Sequence, residues 1–342
     1  MNAVVVDIDP WRELCANFAT SAIYSRYAKE LERFGERGRQ KCRQDILYHL
    51  DYLQGALIGE EPSLFTQYAL WLKDVLSSRG VPIASLGISF DLVATFFNNN
   101  LPADEARAIS AILEAGRTVL AQDALPAVYG VARFPMLPEA ERYRVSILQG
   151  QHKTALSLML EAMNKGSSLT QASVQLVQPA LYQVGNLWQN NQVTVSQEHL
   201  ATAISLNVLA SAYMQAHFSP PVGKTAMFAC VEGNHHSVGL HILSDGFETV
   251  GWDVLYLGAN LPTQDLVHEV DSKRPALLAL SISLPNHIAT ARLTIEMLHA
   301  EMGSACPEIW VGGLTAVPNE KIWRITKADG WAADALQALE QL

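Results

Sequence analysis

Two histidines in one turn, and a third beside a carboxylate, are the residues of this chain best placed to do chemistry. The stretch Glu232-Gly233-Asn234-His235-His236-Ser237-Val238-Gly239 closes an apolar run at 225–231. Imidazole there is a good metal ligand if one ring nitrogen is neutral and the other is held by a partner. Asn234, two residues before His236, can supply that partner oxygen, and Glu232 is a second candidate. The same pair also reads as unliganded histidines at a helix start. A second constellation is Leu181-Tyr182-Gln183-Val184-Gly185-Asn186-Leu187-Trp188, followed after nine residues, 189 to 197, by Glu198-His199. Trp188 offers a large apolar face and Glu198 a charged hydrogen-bond acceptor. The plainer alternative is a core tryptophan and a solvated helix start. A third group is Asp45 and His49, which are four apart and so share a helix face. They follow six basic residues, Lys29, Arg33, Arg37, Arg39, Lys41 and Arg43, and precede the aromatic residues Phe65, Tyr68, Trp71, Phe90, Phe96 and Phe97.

Positioning such groups takes more than one core, and 342 residues at about 150 per domain argue for two or three. Over 11–121 apolar residues recur three and four apart, as at Ile46, Leu50, Leu53 and Leu57. This predicts an all-helical domain of about five helices, broken at Gly35 and Gly38 and near 59–62, 80–82 and 98–102. Pro126, Gly130, Pro135 and Pro138 put a boundary near residue 130. Segments 139–149, 152–164, 169–188 and 196–216 then predict a four-helix bundle, which Ser219-Pro220-Pro221-Val222-Gly223 ends because proline cannot continue a helix. Beyond it, short apolar runs at 225–231, 253–258, 276–284, 308–312 and 330–333 alternate with amphipathic stretches at 236–250, 263–272, 288–302 and 319–326. That is the pattern of parallel strands with crossover helices in a flavodoxin-like (Rossmann-like) doubly wound sheet, which binds ligands at its strand C-termini. The expected fold class is multidomain: all-α at 1–130, a four-helix bundle at 131–218 and an α/β domain at 223–342.

Composition narrows the function. A hydrophobic fraction of 49% with 17% charged residues belongs to a folded chain, not a disordered one. Lys plus Arg number 24 against 34 Asp plus Glu, and the resulting net charge of −10 repels a phosphate backbone, so direct DNA binding is not expected. Cys15, Cys42, Cys230 and Cys306 lie too far apart for a close metal or redox pair. The first ten residues, with Asp7 and Asp9, do not read as a secretory signal, and no apolar run approaches the roughly 20 residues that span a bilayer. No membrane association and a cytoplasmic location are expected.

Four ordered matches make the chain similar to one family. Asn234, His236 and Gly239 occupy the three fixed places of the cobalamin-binding fingerprint, with asparagine where the pattern has an acid. Gly251-Trp252-Asp253-Val254-Leu255-Tyr256-Leu257-Gly258-Ala259-Asn260 resembles the family's second strand and loop. Ser281-Ile282-Ser283-Leu284 resembles its serine-containing loop, and Gly312-Gly313 its paired glycines. The resemblance implies His236 as the lower axial ligand to cobalt and Ser281 as a partner of the cofactor's buried nucleotide tail. The spacing from Trp188 to Glu198-His199 resembles the light-sensing, adenosylcobalamin-binding domains of the CarH type, over 140–342. That implies a bundle capping the upper corrin face, with Trp188 against the 5′-deoxyadenosyl group and Glu198 on its ribose or base. It also implies that His199 takes the upper cobalt position once light breaks the cobalt–carbon bond. Residues 1–130 show neither the helix-turn-helix pattern nor the basic recognition helix of CarH-type repressors. An all-helical domain in that place resembles the photocobilins, which hold biliverdin beside cobalamin. Arg37, Arg39 or Arg43 would then meet the propionates, Asp45 or His49 the ring nitrogens, and Cys42 would either attach the bilin or be a plain thiol. A helical dimerisation domain with a solvated basic face fits the same residues.

The expected function is a non-enzymatic photoreceptor. Bundle movement would change self-association, as a dimer or tetramer, or binding to a protein partner, with biliverdin as second chromophore. The rivals are a corrinoid methyl-carrier protein and a light-independent, cobalamin-responsive antirepressor. A methyl group is too small to need the cap, and no barrel-sized substrate domain is present for a mutase.

Overall fold

The computed structural model describes residues 6–122, 136–313 and 321–342. The chain forms two compact units, 1–127 and 128–342. The boundary expected near residue 130 and the start of the fourth crossover at 319 lie outside the described residues.

The first unit is all-helical, with α1 (Arg12–Arg26), α2 (Ala28–Leu31), α3 (Gly35–Ile58), α4 (Pro62–Ser78), α5 (Ala84–Asn100) and α6 (Ala103–Leu120). Its starts are those the sequence signals. Pro62 stands in the first turn of α4, where a missing N–H costs nothing, and Glu61 accepts from the Ser63 amide. Asp104 and Glu105 sit in the first turn of α6, beside the positive end of the helix dipole. Gly38 corrects the sequence expectation: α3 runs through it unbroken. A side chain there would bring its Cβ within 2.3 Å of Phe34 Cβ and 2.9 Å of the Tyr24 hydroxyl, so this glycine serves close approach, not helix termination.

The second unit begins with the expected four-helix bundle: α7 (Pro138–Leu148), α8 (His152–Asn164), a long third rod, and α11 (Val195–Tyr213). The third rod is α9 (Leu169–Ala172) and α10 (Gln178–Gln189), joined by a π turn at Ser173–Val177. Pro179 follows that turn, lacks an N–H and would clash with the carbonyl of Gln175, four residues back, in an ordinary α turn. The sheet is parallel throughout, in the order β2-β1-β3-β4-β5. Its elements are β1 (Thr225–Cys230), α12 (Val238–Thr249), β2 (Asp253–Gly258), α13 (Thr263–Lys273), β3 (Leu277–Ser281), α14 (His287–Met302), β4 (Glu308–Gly312), α15 (Lys321–Ile325), β5 (Gly330–Ala332) and α16 (Ala335–Glu340). Strand order reverses at β1, so the crevice between the ends of β1 and β3 is where such a sheet takes a ligand. Phe228, Phe247 and Trp310 help fill the sheet's own core, while Ile242 of α12 and Ala335 of α16 join the bundle's. One helix therefore runs from the His236 loop to the bundle.

Candidate functional site

The loop after β1 is tied from three sides. Asn234 is 0% exposed, and its Nδ2 donates to the Ser281 carbonyl at 2.8 Å, which fixes the amide so that Oδ1 faces His236. Oδ1 accepts the His236 backbone N–H at 3.0 Å and lies 3.4 Å from His236 Nδ1. That arrangement favours the proton on Nδ1 and turns the Nε2 lone pair outward, as a metal ligand requires. Asn260 braces the other side: its side chain accepts the Gly233 N–H at 2.8 Å and its N–H donates to the Asn234 carbonyl at 2.9 Å. His236 is exposed by surface area, yet crowding of the loop around its ring lowers its pKa. Glu198 opposes that shift and His235 adds to it. A neutral imidazole at ordinary pH is the form that ligates. Glu232, the alternative orienter, is not one: its carboxylate accepts the Thr263 N–H at 3.1 Å and serves the start of α13.

The glycines divide into two kinds. Gly313 has φ +106°, and a Cβ on it would stand 2.5 Å from the Ile282 carbonyl oxygen, so the loops after β3 and β4 touch backbone to backbone. Gly239, in the first turn of α12, has open space where its Cβ would be. The chain's own packing does not require glycine there; a flat ligand close to the helix start would. Gly312 is half-buried at the end of β4, and Ser281 and Ser283 are buried in the β3 loop.

In the bundle, Trp188 is half-buried near the end of α10, and Glu198 and His199 occupy the first turns of α11. Thr194 and Gln197 form a capping box that sets where α11 begins. Glu198 accepts from Thr202 at 2.9 Å and meets His199 Nδ1 at 2.6 Å. The His199 side chain is 75% exposed. Because the Glu198 charge acts on His236, the start of α11 and the β1 loop lie near one another. The structure thus joins Asn234 to His236 in one loop and His199 to Glu198 at the start of α11, with the Glu198 charge reaching His236. Each histidine offers a single ligand, which suits a metal already held in a macrocycle; among the described residues no cluster of three or more His, Cys, Asp or Glu could hold a bare ion.

The candidates of the first unit separate. His49 is 3% exposed, with Nδ1 2.8 Å from the Tyr68 hydroxyl and its ring edge-on to Phe90, and burial pushes its pKa down to about 3. Asp45 is exposed on the same helix. Tyr52 stacks on Tyr68 with centroids 3.8 Å apart, so these aromatic rings pack on one another. An open groove of about 460 Å³ lies elsewhere, lined by Tyr24, Lys29, Glu32 and Arg39 among others. Arg43 pairs instead with Glu13 and Asn17, and burial raises the Cys42 thiol pKa, the opposite of an activated nucleophile.

Sequence reasoning missed His287. It opens α14, and its Nδ1 accepts the Ser283 and Leu284 backbone N–H groups, each at 3.2 Å. The Pro285-Asn286 pair before it is the available signal, since a residue just after such a turn can point back to the loop.

Residues 224–340 match a model described as a B12 binding domain, and residues 139–212 match a second model of the same description. The chain is 27% identical over 190 residues to the HTH-type transcriptional repressor CarH of Myxococcus xanthus, covering 54% of this chain and 62% of that one. It is 37% identical over 90 residues to the HTH-type transcriptional repressor CarA of the same organism, covering 26% and 31%. It therefore spans less than two thirds of the length of either relative. Among solved structures, the monomethylamine corrinoid protein of Methanosarcina barkeri matches at 18% identity with a TM-score of 0.49, covering 61% of this chain and all of that one. Among the described residues no helix is long and apolar enough to cross a membrane.

Proposed function

We propose that this chain, a CarH-like cobalamin-binding protein, is a light-responsive regulator that holds adenosylcobalamin between its bundle and its sheet. The observation that carries the reading is the β1 loop that holds His236 through the buried Asn234, with the charge of Glu198, at the capped start of α11, acting on that histidine. When bound, the cofactor supplies a cobalt–carbon bond that visible light breaks. His236 would be the cobalt ligand from the sheet side, steadied through Nδ1 by Asn234. Trp188 covers the adenosyl group and Glu198 accepts its hydrogen bonds. His199, exposed and bonded to its neighbour Glu198, is the residue that would be available to ligate cobalt after photolysis. Its movement to cobalt would break the Glu198 contact and pull on the first turn of α11. The output is a change of self-association, as a dimer or tetramer, or of binding to a protein partner, with no enzymatic turnover.

Biliverdin is the second chromophore of this reading, in the first unit. The groove beside Lys29 and Arg39 supports it, being of the size of small-molecule sites and lined by the cations that propionates need. The raised Cys42 pKa supports non-covalent binding. Protein produced with both cofactors tests the whole reading by its absorption in the dark and after green light. A light-driven corrinoid change with a red band is expected. A light-stable corrinoid spectrum would favour the methyl-carrier reading, and a corrinoid change without a red band would remove the bilin.

A further inference from the structure

We propose that His287 is a further cobalamin-binding residue, donating a hydrogen bond from Nε2–H to an oxygen on the lower face of the cofactor; this rests on the cobalamin reading above. His287 is 2% exposed. Because its Nδ1 accepts two backbone N–H groups, that nitrogen carries no proton, and the neutral ring holds its proton on Nε2. Nε2 is buried and makes no hydrogen bond of good geometry among the described residues. The Gly233 backbone lies near the ring and favours its protonated form, but outside hydrogen-bonding geometry. A buried donor left this way costs about 1–3 kcal/mol, and such groups in folded proteins have partners. The adjacent Asn286 Oδ1 is likewise buried and has no hydrogen-bond partner among the described residues. A donor and an acceptor on consecutive residues suit a ligand rich in amide, hydroxyl and phosphate groups.

The position fits the lower face. The loop that holds His287 follows Ser281, whose carbonyl anchors Asn234, and the charges of His236 and His235 act on the His287 ring. Cobalamin carries amide side chains and a phosphoribosyl tail on that side. Were His236 to hold cobalt, the tail would be free of the metal, and an oxygen of it lying along these loops would be the acceptor.

The test is a spectroscopic titration of wild type, His287→Gln and His287→Glu with hydroxocobalamin and with cobinamide, which keeps the corrin amides and lacks the tail. Gln retains an acceptor for the two loop amides and a donor; Glu retains only the acceptor. The Gln variant is expected within about threefold of wild type for cobalamin, and the Glu variant about tenfold weaker or more, a difference of roughly 1.4 kcal/mol in a hydrogen bond to the ligand. Cobinamide affinity is expected unchanged. Equal weakening for both corrinoids moves the acceptor to a corrin amide and keeps His287 on the lower face. Wild-type affinity of the Glu variant overturns the proposal and leaves His287 as a loop tie. Wild type that takes up neither corrinoid overturns the cobalamin reading with it. If the Glu variant does not fold, the ring N–H resonance of His287 in wild type decides: a downfield shift with slowed exchange on adding cobalamin supports the proposal, and an unmoved resonance overturns it.

Discussion

The two histidines proposed as metal ligands sit in opposite kinds of surroundings. Around His236 the β1 loop is locked by the buried Asn234, by Asn260 on both its backbone and its side chain, and by the Ser281 carbonyl. Around His199 the start of α11 is solvent-facing: Val195 is exposed, Leu200 is exposed, and the histidine is bonded to its neighbour Glu198. A rigid loop suits a ligand that stays in place, because its orientation is settled before the metal arrives. An exposed first turn suits a ligand that arrives later, since moving it disturbs few buried groups. The contrast matches the proposed division, a permanent ligand at His236 and a conditional one at His199.

The largest effect is expected at the fixed side. His236→Ala should weaken corrinoid uptake by more than the roughly 100-fold that loss of an orienting partner can cost, read by spectroscopic titration. Next comes Asn234→Asp, which restores the acid of the fingerprint. Whichever oxygen turns from His236 then faces the Ser281 carbonyl, where Nδ2 now donates at 2.8 Å. A buried, mispaired acceptor should lower stability by about 1–3 kcal/mol in urea unfolding, and an unchanged midpoint would mean that the loop rearranges freely.

The joint between the two regions carries a pH dependence. Asp245 on α12 is buried, its Oδ2 lies 3.6 Å from His241 Nε2 without a hydrogen bond, and its pKa is raised to about 7, by burial first and Glu248 second. A carboxyl harder to ionise when folded stabilises fully below its ordinary value of 3.8, and that stability is lost as pH rises towards about 7. Asp245→Asn should therefore gain stability relative to wild type as pH rises from 4 to 8, reaching on the order of 1–3 kcal/mol at pH 8, read as the difference between the two thermal melting profiles. The smallest effect is expected at the conditional ligand: His199→Ala should bind adenosylcobalamin in the dark within about threefold of wild type, as removal of an exposed pair does.

The sheet and bundle were legible because proline and glycine punctuate them. Pro220-Pro221 ends the bundle, and the expected apolar runs became strands within a few residues of their predicted ends, the largest trim being at 276–284, where β3 is Leu277–Ser281. The π turn at Ser173–Val177 was not legible, since its residues keep the apolar pattern of the helix on either side. Gly38 misled for a related reason: a glycine that breaks a helix and one that admits a neighbouring ring look alike in sequence. At the site, His236 and Asn234 could be read from spacing because both lie in one loop. Glu232 went instead to the Thr263 N–H, and His287 reached back across a turn, and neither connection is local in sequence. The bilin candidates fared differently: four-residue spacing put Asp45 and His49 on one helix, but burial leaves one exposed and the other bonded to Tyr68.

The division of roles between the two histidines is tested most directly by the absorption spectrum of adenosylcobalamin-loaded wild type and His199→Ala after green light. The account predicts like spectra in the dark and different ones after illumination, with a stable, histidine-ligated photoproduct in wild type alone. Identical illuminated spectra, or no response to light in wild type, would contradict it.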